Sequence, residues 1–188
     1  MHEIVATAFW KRLDTEGHDA CRLMRSDNGW RLEGAALFSH EGKACILDYA
    51  VDCDDRWQTL SARVSGSVGF DTLDFEVTRT GEDWLLNGVI QPKARGQVDL
   101  DLGFTPATNL IAIRRLEPRP GVETPAPAAY YLEFTLELGL VEQIYRRTGE
   151  RTLAYASPAY NYAAELQISP IGFVTEYPGL WSGQVTMA

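Results

Sequence analysis

The chain has 188 residues, 45% of them hydrophobic and 23% charged, with a formal net charge of −9 at pH 7. This length and composition are those of one ordered globular domain, spanning 1–188, able to bury roughly 70% of the surface its unfolded form would expose. The negative charge argues against a nucleic-acid partner and against spontaneous attachment to anionic membranes, both of which rest on Lys and Arg clusters.

The first ninety residues read as strands separated by turn signals at Asp27-Asn28-Gly29, Glu41-Gly42, Asp52 to Asp55, Ser65 to Gly69 and Thr80 to Asp83. A strand of about ten residues between each pair predicts a mainly antiparallel, all-β meander. Asn28-Gly29 suits a two-residue hairpin whose central positions both need positive φ. Leu60-Ser61-Ala62-Arg63-Val64 alternates in polarity, as does Phe134-Thr135-Leu136-Glu137-Leu138, so every second side chain can face a core. Arg25, Trp30, Leu32 and Gly34 recur without gaps as Arg79, Trp84, Leu86 and Gly88. Either two similar hairpins lie in one sheet, or common strand residues coincide.

Thr105-Pro106-Ala107-Thr108-Asn109-Leu110 breaks this pattern. Thr at a cap and Pro at the first helical position predict a short helix, with Leu110, Ile113 and Leu116 on one face. Pro118, Pro120, Pro125 and Pro127 then mark a surface loop, since proline can neither continue a helix nor fill a central strand. Strands resume at 130–138, 140–148, 151–157, 161–169 and 172–177, although Leu138, Val141, Ile144 and Tyr145 also fit one helical face.

Catalytic patterns are sparse. Gly66-Ser67-Val68-Gly69 lacks the spacing of a nucleophile elbow, and His2, His18 and His40 have no partner at ligand spacing. Cys21, Cys45 and Cys53 form neither a disulfide framework nor a zinc pattern, and no Gly-rich phosphate cradle opens a helix. The expectation is no cofactor, no metal and no catalytic activity. Met1 to Val5 lacks the pattern of a secretory signal, and no run of about 18 apolar residues crosses a bilayer, so a cytoplasmic protein is expected.

The last third is rich in Tyr145, Arg146, Arg147, Tyr155, Tyr160, Asn161, Tyr162, Tyr177 and Trp181. Flat aromatic faces and forked guanidinium donors suit a ligand with an apolar body and a hydroxyl-rich or acidic head. Neighbouring arginines on a strand point to opposite faces, so one of Arg114-Arg115 and one of Arg146-Arg147 can face a pocket. A buried 12-carbon chain contributes roughly 10 kcal/mol before association costs, and its lining has the identity of an ordinary core.

Several segments occur in a telling order. They are Asp99-Leu100-Asp101-Leu102-Gly103-Phe104-Thr105-Pro106-Ala107-Thr108-Asn109, Ile113-Arg114-Arg115-Leu116, Gln143-Ile144-Tyr145-Arg146-Arg147, Tyr155, Ala163-Ala164-Glu165-Leu166, Gly172-Phe173-Val174 and Tyr177-Pro178-Gly179-Leu180-Trp181. Together they resemble the bacterial family named "putative glycolipid-binding", formerly a domain of unknown function. The resemblance covers most of the chain and implies a spiral β-roll, an incompletely closed antiparallel barrel with one or two short helical segments, similar to the lipoprotein carriers LolA and LolB. Those carriers work outside the cytoplasm, so lipoprotein trafficking does not follow, and no catalytic residues transfer.

The resulting expectation is a monomer or homodimer that binds an amphipathic small molecule, such as a glycolipid, in the concave interior of the curved sheet. Asn109, Arg115, Tyr145, Arg147, Tyr155 and Trp181 are the candidate rim residues. Trp181 also reads as a plug at the sheet end, and Tyr145, Arg147 and Tyr155 also read as a hydrogen-bonded core cluster. One alternative is an enzyme acting on lipids or sugars through Asp99, Asp101 or Glu165, which needs two converging carboxyl groups. Another is a structural protein that pairs through an open sheet edge.

Overall fold

The protein was analysed as a computed structural model, which describes residues 3–131 and 134–188. His2, and Leu132 and Glu133 of the expected strand 130–138, lie outside the described residues. Alternation and turns fold the first half as an antiparallel meander: β1 (Glu3–Arg12), β2 (Gly17–Ser26), β3 (Gly29–His40), β4 (Lys43–Cys53), β5 (Thr59–Val68), β6 (Asp71–Thr80), β7 (Asp83–Leu86) and β8 (Val89–Ile90). In β5 the alternation is realised, with Ala62 and Val64 buried and Leu60 and Arg63 exposed.

The first hairpin differs from expectation by one residue. Ser26 pairs with Gly29, so Asp27 and Asn28 form the loop, and neither has positive φ. Gly29 carries φ +150 because the β4 end passes against it: a Cβ there would collide with the Cys53 carbonyl oxygen. Close backbone approach, rather than turn type, requires that glycine.

Beyond β8 come β9 (Asp99–Leu102), helix α1 (Asn109–Leu116), β10 (Thr124–Pro125), β11 (Ala128–Tyr131), β12 (Gly139–Val141), β13 (Ile144–Arg147), β14 (Thr152–Ser157), β15 (Tyr162–Ile168), β16 (Val174–Tyr177) and β17 (Trp181–Met187). One sheet of fourteen strands runs in the order β10-β13-β14-β15-β16-β17-β1 and on through β2 to β8. Its two ends do not pair, so the roll stays open. A smaller sheet, β12-β11-β9, includes a parallel pairing of β11 with β9. The halves join where β17 pairs with β1, from Ala6 opposite Met187 to Arg12 opposite Trp181. Pro125 sits on the edge strand β10, where its missing N–H costs no central ladder bond.

Three expectations change. Of the strand expected at 130–138, Tyr130 and Tyr131 belong to β11, and Phe134 to Leu138 are not strand. Phe134 has φ +56 and its ring packs near Phe38, Phe104 and His40, while the Leu138 N–H donates to Gln91 Oε1 at 2.9 Å. The alternation is therefore not realised as a sheet face: Phe134 and Leu138 reach the core, and Leu136 between them is exposed. The expected strand 140–148 divides at Glu142-Gln143, since β12 pairs in the small sheet and β13 in the large one. The helix begins at Asn109, after Thr108 at its N-cap, while Thr105 and Pro106 form a preceding turn in which Thr105 Oγ1 accepts the Ala107 N–H.

Leu110, Ile111, Ala112 and Ile113 of α1 are buried in one continuous core with Trp10, Leu47, Phe75, Trp84, Leu100 and Tyr131. The interior expected to be open for ligand is thus largely filled by β9, α1 and β11, because the helix presents four consecutive buried apolar residues to it.

A buried polar chain ties this insert to the meander. The Ala107 N–H donates to Thr105 Oγ1, which lies 3.1 Å from Tyr49 Oη, and Tyr49 Oη donates to Asp19 Oδ1 at 3.0 Å. Burial pushes the Asp19 carboxyl from 3.8 up to about 7, against the opposing hydrogen bonds from Thr105 and Tyr49 and the charge of Arg12. The folded state then holds a proton that the unfolded state releases, so the contribution of Asp19 to stability is greatest at low pH and falls as pH rises from 3.8 through about 7. Relative to Asp19→Asn, the wild type should lose about 3 kcal/mol between about pH 4 and 7.5 in urea unfolding. Parallel profiles for the two proteins would contradict this.

Candidate functional site: a tyrosine-lined cleft

Between the insert and strands β14 to β17 lies a cleft of about 270 Å³. Asp101, Thr105 and Asn109 form one side, and Tyr130 and Val141 come from the small sheet. Tyr155, Tyr162, Tyr177 and Trp181 form the opposite wall. They come together because β14, β15, β16 and β17 are sheet neighbours, with Ser157 opposite Tyr162 and Tyr177 opposite Trp181. Ring centroids lie 5.4 Å apart for Tyr155–Tyr177, 5.5 Å for Tyr162–Tyr177 and 6.1 Å for Tyr155–Tyr162. Tyr160, half exposed, stands beside Tyr130 with centroids 5.9 Å apart.

The polar floor is fixed by a relay. Asn109 Nδ2 donates to Tyr145 Oη at 2.7 Å, Tyr145 Oη donates to Gln143 Oε1 at 3.0 Å, and Gln143 Nε2 donates to Asp101 Oδ2. Thr108 Oγ1 donates to Asp101 Oδ1 at 3.1 Å. Each Asp101 oxygen retains acceptor capacity toward the cleft. Burial pushes its carboxyl up to about 6; the Thr108 and Gln143 hydrogen bonds oppose this and the Asp99 charge adds to it. No guanidinium or ammonium group lines the cleft among the described residues.

The six rim candidates separate. Asn109, Tyr155 and Trp181 line the cleft. Trp181 is only 5% exposed and carries the Arg12 guanidinium 5.1 Å from its ring, so it is wall and plug at once. Tyr145 is fully buried below the floor, within the relay rather than on the rim. Arg115 turns away to chelate Asp99, at 2.7 and 2.8 Å, because the helix brings it beside a buried carboxylate. Arg147 lies at a different cleft, donating to the carbonyls of Pro118 and Glu150 at 2.9 Å each. Asp101, Tyr130, Tyr162 and Tyr177 also line the cleft and were not among the six rim candidates. A wider groove of about 580 Å³ crosses the outer face of β1 to β5, but its arginines already pair, Arg22 with Glu33, Arg31 with Asp52 and Arg63 with Asp74.

A family model described as "Putative glycolipid-binding" matches residues 7–183. The chain belongs to this family. Among solved structures, the crystal structure of a DUF1089 family protein from Pseudomonas aeruginosa at 1.80 Å resolution is 25% identical, with a TM-score of 0.76 over 87% of this chain and 90% of that one. No curated protein matches. The glycolipid-binding family is thus represented here by an open antiparallel roll whose filled interior leaves an aromatic cleft at its side. Among the described residues, no helix is long and apolar enough to cross a membrane.

Proposed function

We propose that this protein binds, without chemical change, the neutral hydroxyl-rich head of an amphipathic ligand such as a glycolipid, and that the tyrosine cleft receives that head. The single observation carrying this reading is a hydrogen-bonded carboxylate in a cleft walled by clustered aromatic rings, tilted or edge-on to one another, with no cation in its lining among the described residues. Sugar hydroxyls donate to such a carboxylate while the ring's apolar face packs on tyrosine, and an anionic head is repelled. At about 270 Å³, near nine water volumes, the cleft accommodates a head group rather than a long chain. The carboxylate-pair alternative draws no support here: Asp99 is committed to Arg115, and neither Asp99 nor Glu165 lines the cleft beside Asp101. Three buried free cysteines favour a reducing compartment, in keeping with a cytoplasmic role.

Calorimetric titration with n-octyl β-D-glucoside and n-octyl sulfate, both below micelle formation, tests the reading. The glucoside should bind saturably, the sulfate at least about tenfold more weakly, and Asp101→Asn should weaken the glucoside about tenfold, as expected for loss of a charged hydrogen bond. Equal affinity for both amphiphiles, or an indifferent Asn variant, would contradict it.

A further inference from the structure

A second cleft, of about 470 Å³, lies on the other side of α1, between the helix end, the β13–β14 turn and the Ser169-Pro170-Ile171-Gly172 turn. Arg114, Arg147 and Arg151 all line it, and none of the three is ion-paired among the described residues, although Glu117 and Glu150 also contribute to the lining. Two donors in its wall are orphaned. Arg114 Nε and Ser169 Oγ are buried and have no hydrogen-bond partner among the described residues, and Ser169 is only 6% exposed. They belong to one locality: the Gly172 N–H donates to the Ser169 carbonyl at 2.9 Å, and a Cβ on Gly172 would lie 3.4 Å from Arg114 Cδ.

Buried donors without acceptors cost free energy, and the three guanidinium groups keep uncompensated charge in a protein of net charge −9: Arg147 donates to the Pro118 and Glu150 carbonyls, Arg114 lies 5.5 Å from the Trp57 ring, and none forms an ion pair among the described residues. An oxyanion satisfies both requirements at once, accepting from Ser169 Oγ and Arg114 Nε and drawing on the charge of Arg147 and Arg151. We infer that this cleft is a binding site for a phosphate-type oxyanion, separate from the tyrosine cleft and of opposite charge preference. The phosphoryl group comes either from a soluble phosphate or from a lipid head group.

The test is titration of the full chain with inorganic phosphate, followed by phosphorus NMR, on wild type, Ser169→Ala and Arg151→Gln. Neither altered side chain has a hydrogen-bond partner, so both variants should fold normally. Saturable binding by the wild type, weakened about threefold or more in each variant and about tenfold in the double variant, is expected. Vesicles of phosphatidylcholine containing phosphatidylglycerol distinguish the sources: displacement of phosphate by vesicles assigns a lipid phosphate, and its persistence assigns a soluble one. Absence of phosphate binding, or equal binding by wild type and double variant, would overturn the site.

Discussion

Arg115→Ala is expected to cost about 3–5 kcal/mol in urea unfolding, because it leaves the Asp99 carboxylate buried without its cation. Asp99 is 2% exposed, and burial raises its carboxyl even with Arg115 in place. Both carboxylate oxygens accept from the guanidinium, through Nε and Nη2. The pair also locks α1 to β9, the elements that carry Asn109 and Asp101 into the lining of the cleft. Octyl glucoside affinity should therefore fall with stability. Combining Arg115→Met with Asp99→Leu should restore much of the stability, since a packed apolar pair removes the stranded charge. A loss under about 1 kcal/mol for Arg115→Ala would show that the carboxylate is solvated instead.

Trp10→Ala should be comparably damaging, at about 3–5 kcal/mol. Trp10 is fully buried at the junction of the halves, where its indole meets Phe173 edge-on at 5.5 Å and its Nε1 donates to the Val174 carbonyl at 2.6 Å. Truncation opens a void and strands that carbonyl at the start of β16, the strand that carries Tyr177. Gly183 reports on the same packing from β17, because a Cβ there would strike the Trp10 ring. Gly183→Val should thus destabilise by about 1–3 kcal/mol through overpacking. Trp10→Phe keeps most of the apolar volume and should fall between wild type and alanine. A Trp10→Ala protein of native stability would mean that the β1–β17 seam does not depend on this indole.

Much of the first half was legible because its information is local. Turn residues place the loops after β2, β3 and β6 within a residue or two, whereas the β1–β2 loop carries no turn signal in the reading and the Ser65 to Gly69 signal lies mostly inside β5. At the first hairpin the constraint on Gly29 comes from β4 rather than from the turn. The second half is governed by distant partners. Phe134 to Leu138 alternates like a strand, yet only its ends, Phe134 and Leu138, pack on the core, while Leu136 is exposed. Trp181 to Met187 shows weak alternation, and most of its pairing as a strand is with β1 at the other end of the chain, with β16 on its other side only at Trp181 and Ser182. As a functional candidate, Asp101 enters the sequence reading only as a carboxylate of the enzyme alternative, and its position on a cleft floor depends on Thr108, Gln143 and the fold between them. Tyr155, Tyr162 and Tyr177 are irregularly spaced in sequence and become one wall only through sheet register. Arg115 and Arg147 looked alike as free guanidinium groups; one neutralises a buried acid and the other clamps carbonyl groups, distinctions that no composition carries.

The central claim is that the tyrosine cleft holds a sugar head. The most direct test is a crystal structure with n-octyl β-D-glucoside. The account predicts the glucose ring packed on the Tyr155, Tyr177 and Trp181 wall with a hydroxyl donating to Asp101. Glucoside bound only in the outer-face groove of β1 to β5, with the tyrosine cleft holding none, would contradict it.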